Sequence, residues 1–152
     1  MVLNRQRRVR VSINDLEQFL ARARRALRLR SDSLTVSLVT NAKIARWNRA
    51  YRGKPNPTDV LSFPAEKENA SREKPRTRAT RGRAPSARYL GDIAIAPAVA
   101  RRNARRLGRT FDNEMRILIL HGILHLMGYD HETDTGQMDR REQRLRRALG
   151  IA

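Results

Sequence analysis

The chain contains no cysteine among its 152 residues. Disulfide bridges and thiolate-ligated metal sites are therefore excluded, which suits a protein of the cytosol. Long hydrophobic runs are missing too, because the most apolar stretches, RILILHGILHLMG and LGDIAIAPAVA, are short and interrupted by His, Asp or Pro. The N-terminal MVLNRQRRVRVSIND lacks an apolar segment after its basic residues, so no secretory signal is expected. We expect a cytoplasmic protein with no membrane contact.

Acidic residues are scarce relative to basic ones. The chain has 15 Asp and Glu against 33 Lys and Arg, a formal net charge of +18 at pH 7. A field of this sign attracts polyanions, of which nucleic acid is the commonest inside cells. A proteome biased toward arginine is the alternative explanation for the same composition.

Helical and strand-like patterns alternate unevenly over residues 1–152, which is long enough for one domain with its own core. An edge strand is predicted over residues 2–13, and further strands over residues 33–40, 59–63 and 89–96. Helices are predicted to begin at Ser12 or Asn14, at an Asn41 cap, at Pro97, near Thr110 and near Gln137. The pattern predicts an α+β fold, in which a small mixed β-sheet and its helices pack around one central buried helix. Residues 65–88 have almost no apolar side chain and are predicted to form a flexible basic loop.

All three histidines of the chain lie in the stretch HGILHLMGYDH, residues 121–131. His121 and His125 are four residues apart and should lie side by side on the predicted central helix. Gly128 can end that helix, so that the following turn returns His131 to the same point. Three neutral imidazoles leave one position of a tetrahedral zinc open, which is typical of catalytic sites. Core histidines with structural partners, or a closed structural zinc, are the alternatives.

The zinc-protease signature H-E-x-x-H-x-x-G-x-x-H has a glutamate after its first histidine, and Gly122 stands there instead. Without that general base a protease is disfavoured, and the lack of cysteine disfavours a base deaminase. Phosphodiester cleavage remains attractive, since a metal can stabilise phosphoryl charge and an arginine can hold the phosphate. Either water or the RNA 2′-hydroxyl would attack. Asp130, Glu132 and Asp134 are candidates to orient the imidazoles, or are ordinary acids at a helix start.

The histidine block resembles the H-G-x-L-H-L-x-G-Y-D-H signature of the YbeY family, bacterial endoribonucleases of ribosomal RNA maturation. NRAYRGKPNPTDVLSFP (48–64) and YLGDIAIAP (89–97) match further family blocks in order, so the resemblance covers nearly the whole chain. It implies one Zn²⁺ per chain, bound by His121, His125 and His131. It also implies an important arginine before TDVLSFP, which is Arg52 here. We expect Arg52 to be catalytic, by binding the phosphate or stabilising the transition state; a surface arginine that pairs with a carbonyl at a helix end is the alternative. The implied partners are ribosomal RNA or ribosomal subunits, with ribosome-associated proteins as further candidates.

These features favour a zinc-dependent, single-strand-specific endoribonuclease that acts in ribosomal RNA processing. A ribosome-assembly factor that binds RNA and has a structural metal is the main alternative. A metallohydrolase of small or peptide substrates is a third, which the absent glutamate and the basic charge disfavour. For Thr58 and Asp59 we expect turn and capping roles, while Asp92 within an apolar strand is ambiguous. The family usually bridges its two strands with a segment that is shorter and less basic than residues 65–88.

Overall fold

The computed structural model describes residues 1–30, 32–54, 56–65, 89–130 and 132–151. Its strands are β1 (Val2–Asn4), β2 (Leu34–Leu38), β3 (Val60–Pro64) and β4 (Gly91–Ile95). Its helices are α1 (Ile13–Ala26), α2 (Asn41–Arg52), α3 (Pro97–Leu107), α4 (Phe111–Leu126) and α5 (Gln137–Leu149). The predicted α+β class with a small mixed sheet is confirmed. Apart from Ala65, the predicted basic loop lies outside the described residues.

The sheet has the strand order β1-β2-β4-β3. The first three of these strands are parallel, and β3 pairs antiparallel with β4, so that Val60 lies opposite Ile95 and Pro64 opposite Gly91. The alternating side chains of each strand separate two apolar clusters. The larger cluster, on the face toward α1, α4 and α5, includes Leu34, Val36, Leu38 and Ile93. The smaller one includes Ile44, Leu61, Ala94 and Val99, on the face that α2 covers.

Helix α4 is the central element of the larger cluster. It contacts β3 and β4 on one side and α1, α3 and α5 on others, which explains why its sequence is apolar nearly all round. Thr110 caps the helix by accepting a hydrogen bond from the N–H of Asn113 at 3.2 Å. The prediction of a central buried helix is therefore confirmed. None of the described helices is both long enough and apolar enough to cross a bilayer.

Two predicted boundaries are wrong, each because a polar side chain bonds the backbone locally. The first strand ends at Asn4, because the amide of Gln6 both accepts from the Val9 N–H and donates to the Val9 carbonyl at 2.9 Å. These bonds take the place of strand pairing. The cap of α2 is Thr40, whose hydroxyl accepts from the N–H of Lys43 at 3.2 Å, while Asn41 is the first helical residue.

Candidate functional site

His121 and His125 lie side by side on the last two turns of α4. Their Nε2 atoms are 3.0 Å apart, and the ring centroids are separated by 4.6 Å with the planes at 78°. The spacing of four residues thus brings the two imidazoles together as the sequence predicts. The third predicted ligand, His131, lies outside the described residues. The role of all three as metal ligands stays a prediction.

Glu142, a residue that sequence reasoning missed, faces the histidines from α5. Its Oε1 lies 3.3 Å from Nδ1 of His121, and its Oε2 lies 3.1 Å from Nη2 of Arg146. Burial raises the pKa of Glu142, whereas the hydrogen bond with His121 lowers it. The positive charges of Arg146 and Arg109 lower this pKa further, and the balance leaves it below the ordinary value. The buried carboxylate therefore stabilises the folded chain at neutral pH, and this contribution is lost as the pH falls through the lowered pKa.

A signal for Glu142 was present in the helical pattern. The buried positions of α5 are Met138, Glu142, Leu145 and Leu149, which recur at the spacing of one helix face. Glu142 is thus the one acidic residue on an otherwise apolar stripe. A charged group at such a position needs a buried partner, and here the partners are an imidazole and a guanidinium.

The contact with Glu142 determines which ring nitrogen of neutral His121 carries the hydrogen. An ionised carboxylate only accepts hydrogen bonds, so Nδ1 of His121 carries the hydrogen and Nε2 presents its lone pair. Two nitrogens on one tetrahedral zinc, each about 2.0–2.1 Å from the metal, lie about 3.3 Å apart. The observed 3.0 Å between the Nε2 atoms is close to that separation. Among the described residues, no group of three or more His, Cys, Asp or Glu side chains could hold a metal ion. The distance between the two Nε2 atoms is therefore the only feature of the described part that bears on a shared metal.

Gly122, the residue in the place of the protease glutamate, packs directly against the sheet. A Cβ at this position would lie 2.9 Å from both Cδ1 and Cγ2 of Ile93, which is fully buried. The Gly122 carbonyl also accepts a hydrogen bond from the Ser62 hydroxyl at 3.1 Å. The Cβ of a glutamate at this position would therefore clash with the Ile93 side chain on β4. Close helix–sheet packing therefore explains why the general base of the protease signature is absent.

We expect Gly122→Ala to lower the free energy of unfolding by about 1–3 kcal/mol, the usual cost of overpacking a core. Helix propensity alone would predict a gain of about 1 kcal/mol, so the sign of the change is diagnostic. Urea denaturation of both proteins measures it. Ile93→Val removes Cδ1, one of the two nearest atoms. The double variant should therefore lose less free energy of unfolding than the sum of the losses of the two single variants. Losses that simply add would contradict the proposed clash.

Arg52 lies at the end of α2, immediately before Gly53, which ends the helix in the left-handed conformation with φ 68°. Its Nη2 atom is 4.0 Å from Oε1 of Glu132, in the segment that follows α4. Both side chains are largely exposed, at 44% and 66%, so this ion pair contributes at most about 1 kcal/mol. Arg52 therefore extends toward the segment that follows the histidine helix, and among the described residues no strong ion pair holds it there.

The other acids that the sequence singled out bond mostly to backbone or neighbouring polar groups. Asp130 accepts from the N–H of Glu132 at 3.0 Å. Asp134 accepts from the N–H groups of Gly136 and Met138 at 2.9 and 2.8 Å, at the start of α5. These bonds shape the turn that leads from α4 to the helix carrying Glu142.

Two further carboxylates join elements of the sheet region. Asp59 accepts from the side-chain amide of Asn103 at 3.3 Å, which ties the start of β3 to α3, and it contacts the Thr58 hydroxyl at 3.4 Å. Asp92 is exposed on β4 and accepts from the Tyr89 hydroxyl at 2.5 Å. Burial raises the pKa of Tyr89, and the bond to Asp92 adds to that rise. Both contacts of Asp59 are between side chains, so the turn and capping roles expected of Thr58 and Asp59 stay predictions.

If His121 binds zinc as predicted, Glu142→Gln should weaken zinc binding by about 10- to 100-fold, the usual effect of removing a carboxylate that orients a ligating histidine. The amide is isosteric but carries no charge to favour hydrogen on Nδ1 of His121. A competition titration with a chromogenic chelator measures the affinity. Asp139→Asn, an exposed carboxylate on the same helix, is the matched control and should bind zinc normally. Equal zinc affinity in the Glu142→Gln variant and the wild type would contradict this role.

Comparison with known proteins gives matches over almost the whole chain. Residues 1–150 match the family model described as Endoribonuclease YbeY. A curated protein of that name from Koribacter versatilis is 38% identical over 151 residues, spanning 99% of this chain and 86% of the relative. Another from Sulfurovum sp. is 36% identical over 149 residues, spanning 98% and 90%. The solution structure of TM1509 from Thermotoga maritima matches with a TM-score of 0.61 at 25% identity, covering 98% of this chain and 89% of that one.

Proposed function

The chain belongs to the family of endoribonuclease YbeY, and from this membership we propose that it is a metal-dependent endoribonuclease of ribosomal RNA maturation that cuts single-stranded RNA. One observation indicates which residues form the proposed site. The Nε2 atoms of His121 and His125 face each other at 3.0 Å, while the buried Glu142 contacts the other ring nitrogen of His121. This geometry supports a site in which two histidines bind the metal and a carboxylate orients one of them.

In the proposed site, His121, His125 and His131 hold one Zn²⁺. When bound, the zinc supplies a Lewis acid beside the scissile phosphate, where it stabilises negative charge on the phosphoryl oxygens. Glu142 keeps the hydrogen of His121 on Nδ1, so that Nε2 remains a ligand atom. The proposed protein ligands are all imidazoles, which zinc, nickel and copper accept.

Arg52 is proposed to hold the phosphate, because a guanidinium can donate two parallel hydrogen bonds to phosphate oxygens. Its exposed pairing with Glu132 is weak enough for a phosphate to replace it. The approach of RNA is favoured by helices α2 and α3, neither of which contains an acidic residue. Their exposed cations include Lys43, Arg46, Arg49, Arg101, Arg102, Arg105 and Arg106. The proposed partners are ribosomal RNA and ribosomal subunits, in the bacterial cytoplasm.

Cleavage assays with a matched variant test this function. Wild-type protein and His121→Ala, purified in parallel, are incubated with a labelled single-stranded RNA and with the same RNA annealed to its complement. We expect the wild type to cut the single strand, to spare the duplex, and to stop when a chelator removes the metal. The variant should cut neither RNA, which controls for contaminating ribonuclease.

The other outcomes separate the alternatives. Equal cutting by both proteins would assign the activity to a contaminant. If neither protein cuts while both bind the RNA, the chain is better described as an RNA-binding assembly factor with a structural metal. A 2′,3′-cyclic phosphate on the products would identify the RNA 2′-hydroxyl as the attacking group, and a linear phosphate from the start would identify water.

A further inference from the structure

Tyr51 is the most exposed large apolar side chain of the described residues, with 70% of its surface accessible. It immediately precedes Arg52 on the last turn of α2. Its hydroxyl makes no hydrogen bond to a described residue, so neither burial nor a polar contact accounts for an aromatic residue at this position. A ring held in solvent beside the proposed phosphate-binding arginine needs another explanation.

The Tyr51 ring is nevertheless held in a defined position. Its centroid lies 5.1 Å from that of Phe63 on β3, with the planes at 68°. Phe63 in turn meets Trp47 edgewise at 5.7 Å and 84°. Edge contacts of this kind orient a ring while covering little of its area. Phe63 and Trp47, both partly buried on the α2 face of the sheet, thus form a rigid base for the exposed ring.

The surroundings of this ring are cationic. Lys43, Trp47 and Tyr51 recur every four residues and so lie along one stripe of α2. The Nζ of Lys43 is 5.3 Å from the centroid of the Trp47 ring. Arg52 and Lys54, both exposed, lie one and three residues after Tyr51 in the chain. Aromatic rings interleaved with cations are typical of proteins that bind single-stranded nucleic acid, where bases stack on the rings and cations contact the backbone.

We infer that Tyr51, supported by Phe63 and Trp47, is a stacking subsite for one unpaired RNA base next to the phosphate held by Arg52. This inference rests on the proposed function and extends it, since it names a physical source for the preference for single strands. A base within a duplex is already stacked and paired, and it cannot present its face to Tyr51 without leaving the helix. An unpaired base stacks at no such cost.

Binding measurements with abasic RNAs test the subsite. A fluorescein-labelled single strand of about ten nucleotides is compared with a series in which one base at a time is removed, with a chelator present to prevent cutting. For the wild type, removal of the stacked base should weaken binding by about 5- to 100-fold, and removal of other bases should matter little. Tyr51→Ala should weaken binding of the intact RNA by a similar factor and abolish the sensitivity to that one base. Tyr51→Phe should behave as the wild type.

Two control variants separate stacking from other causes. Leu107→Ala removes another exposed apolar side chain, 51% accessible, and should leave all affinities unchanged. Arg49→Ala should reduce the slope of log Kd against log salt concentration by about one, whereas Tyr51→Ala should leave that slope unchanged.

The stacking inference would be overturned if Tyr51→Ala bound the intact and abasic RNAs as the wild type does. It would stand, while the proposed function failed, if the base-specific loss were observed for a wild type that never cuts RNA when its metal is restored. If the wild type bound no single-stranded RNA, both would fail.

Discussion

His125→Ala is expected to lower RNA cleavage by at least about 100-fold while leaving RNA affinity nearly unchanged. Removing a carboxylate that merely orients a metal ligand costs about 10- to 100-fold, and removing a ligand should cost more. In the proposed function, the exposed arginines supply most of the RNA affinity, and His125 is not one of these cations. Cleavage rates and equilibrium binding of one labelled single-stranded RNA, measured on the same preparations, separate the two effects.

The same experiment needs a check on folding, because His125 lies on the central helix. The His125 side chain is partly exposed at the end of α4. With the metal removed from both proteins, the apparent thermal midpoint of the variant should therefore stay close to that of the wild type. Parallel loss of cleavage and RNA binding in a folded variant would contradict a purely catalytic role. Retained cleavage would remove His125 from the site altogether.

Arg52→Ala is expected to reduce kcat/KM by about 100-fold, comparable to the loss of one preorganised donor to a developing negative charge. Arg52→Lys should recover only part of this loss, because a lysine keeps the charge but cannot donate the paired hydrogen bonds of a guanidinium. Stability should hardly change in either variant, since the pair with Glu132 spans 4.0 Å between exposed side chains. Steady-state kinetics on a short single-stranded RNA provide both kcat and KM.

Arg49→Ala is the matched control for Arg52, as it removes the same charge from the same helix one turn earlier. The Arg49→Ala substitution should raise KM and leave kcat unchanged. This increase in KM should become smaller at higher salt, as expected for a screened contact to the RNA backbone. If Arg52→Ala gave the same modest, salt-sensitive effect, Arg52 would be one more backbone contact and would have no special role at the scissile phosphate.

Much of the fold was predictable because local patterns determine it. The glycine that ends α2, the proline that begins α3 and the threonine that caps α4 all act within a few residues of the chain. The pairing of His121 with His125 was equally local, since helix geometry alone brings residues four apart into contact. The errors at the first strand and at the cap of α2 arose where Gln6 and Thr40 bond the backbone in preference to the expected pattern.

The contact between His121 and Glu142 was not predictable in the same way. The two residues are 21 positions apart and meet only because α5 packs on α4. The need for a glycine at position 122 was not predictable either, because the Ile93 side chain that Gly122 packs against belongs to β4. Tertiary packing thus determines both which carboxylate accompanies the histidines and why the glutamate of the protease signature is missing.

The most direct test of the proposed zinc centre is a titration of cleavage activity with metal. Metal-free protein is prepared by dialysis against a chelator, zinc is added in steps, and the initial rate of cutting a single-stranded RNA is followed. The site of His121, His125 and His131 predicts no cleavage without metal, a rise in proportion to added zinc, and a plateau at one zinc per chain. Cleavage that persists undiminished in the metal-free protein, or that does not respond to zinc bound in a one-to-one ratio, would contradict a catalytic metal at these histidines.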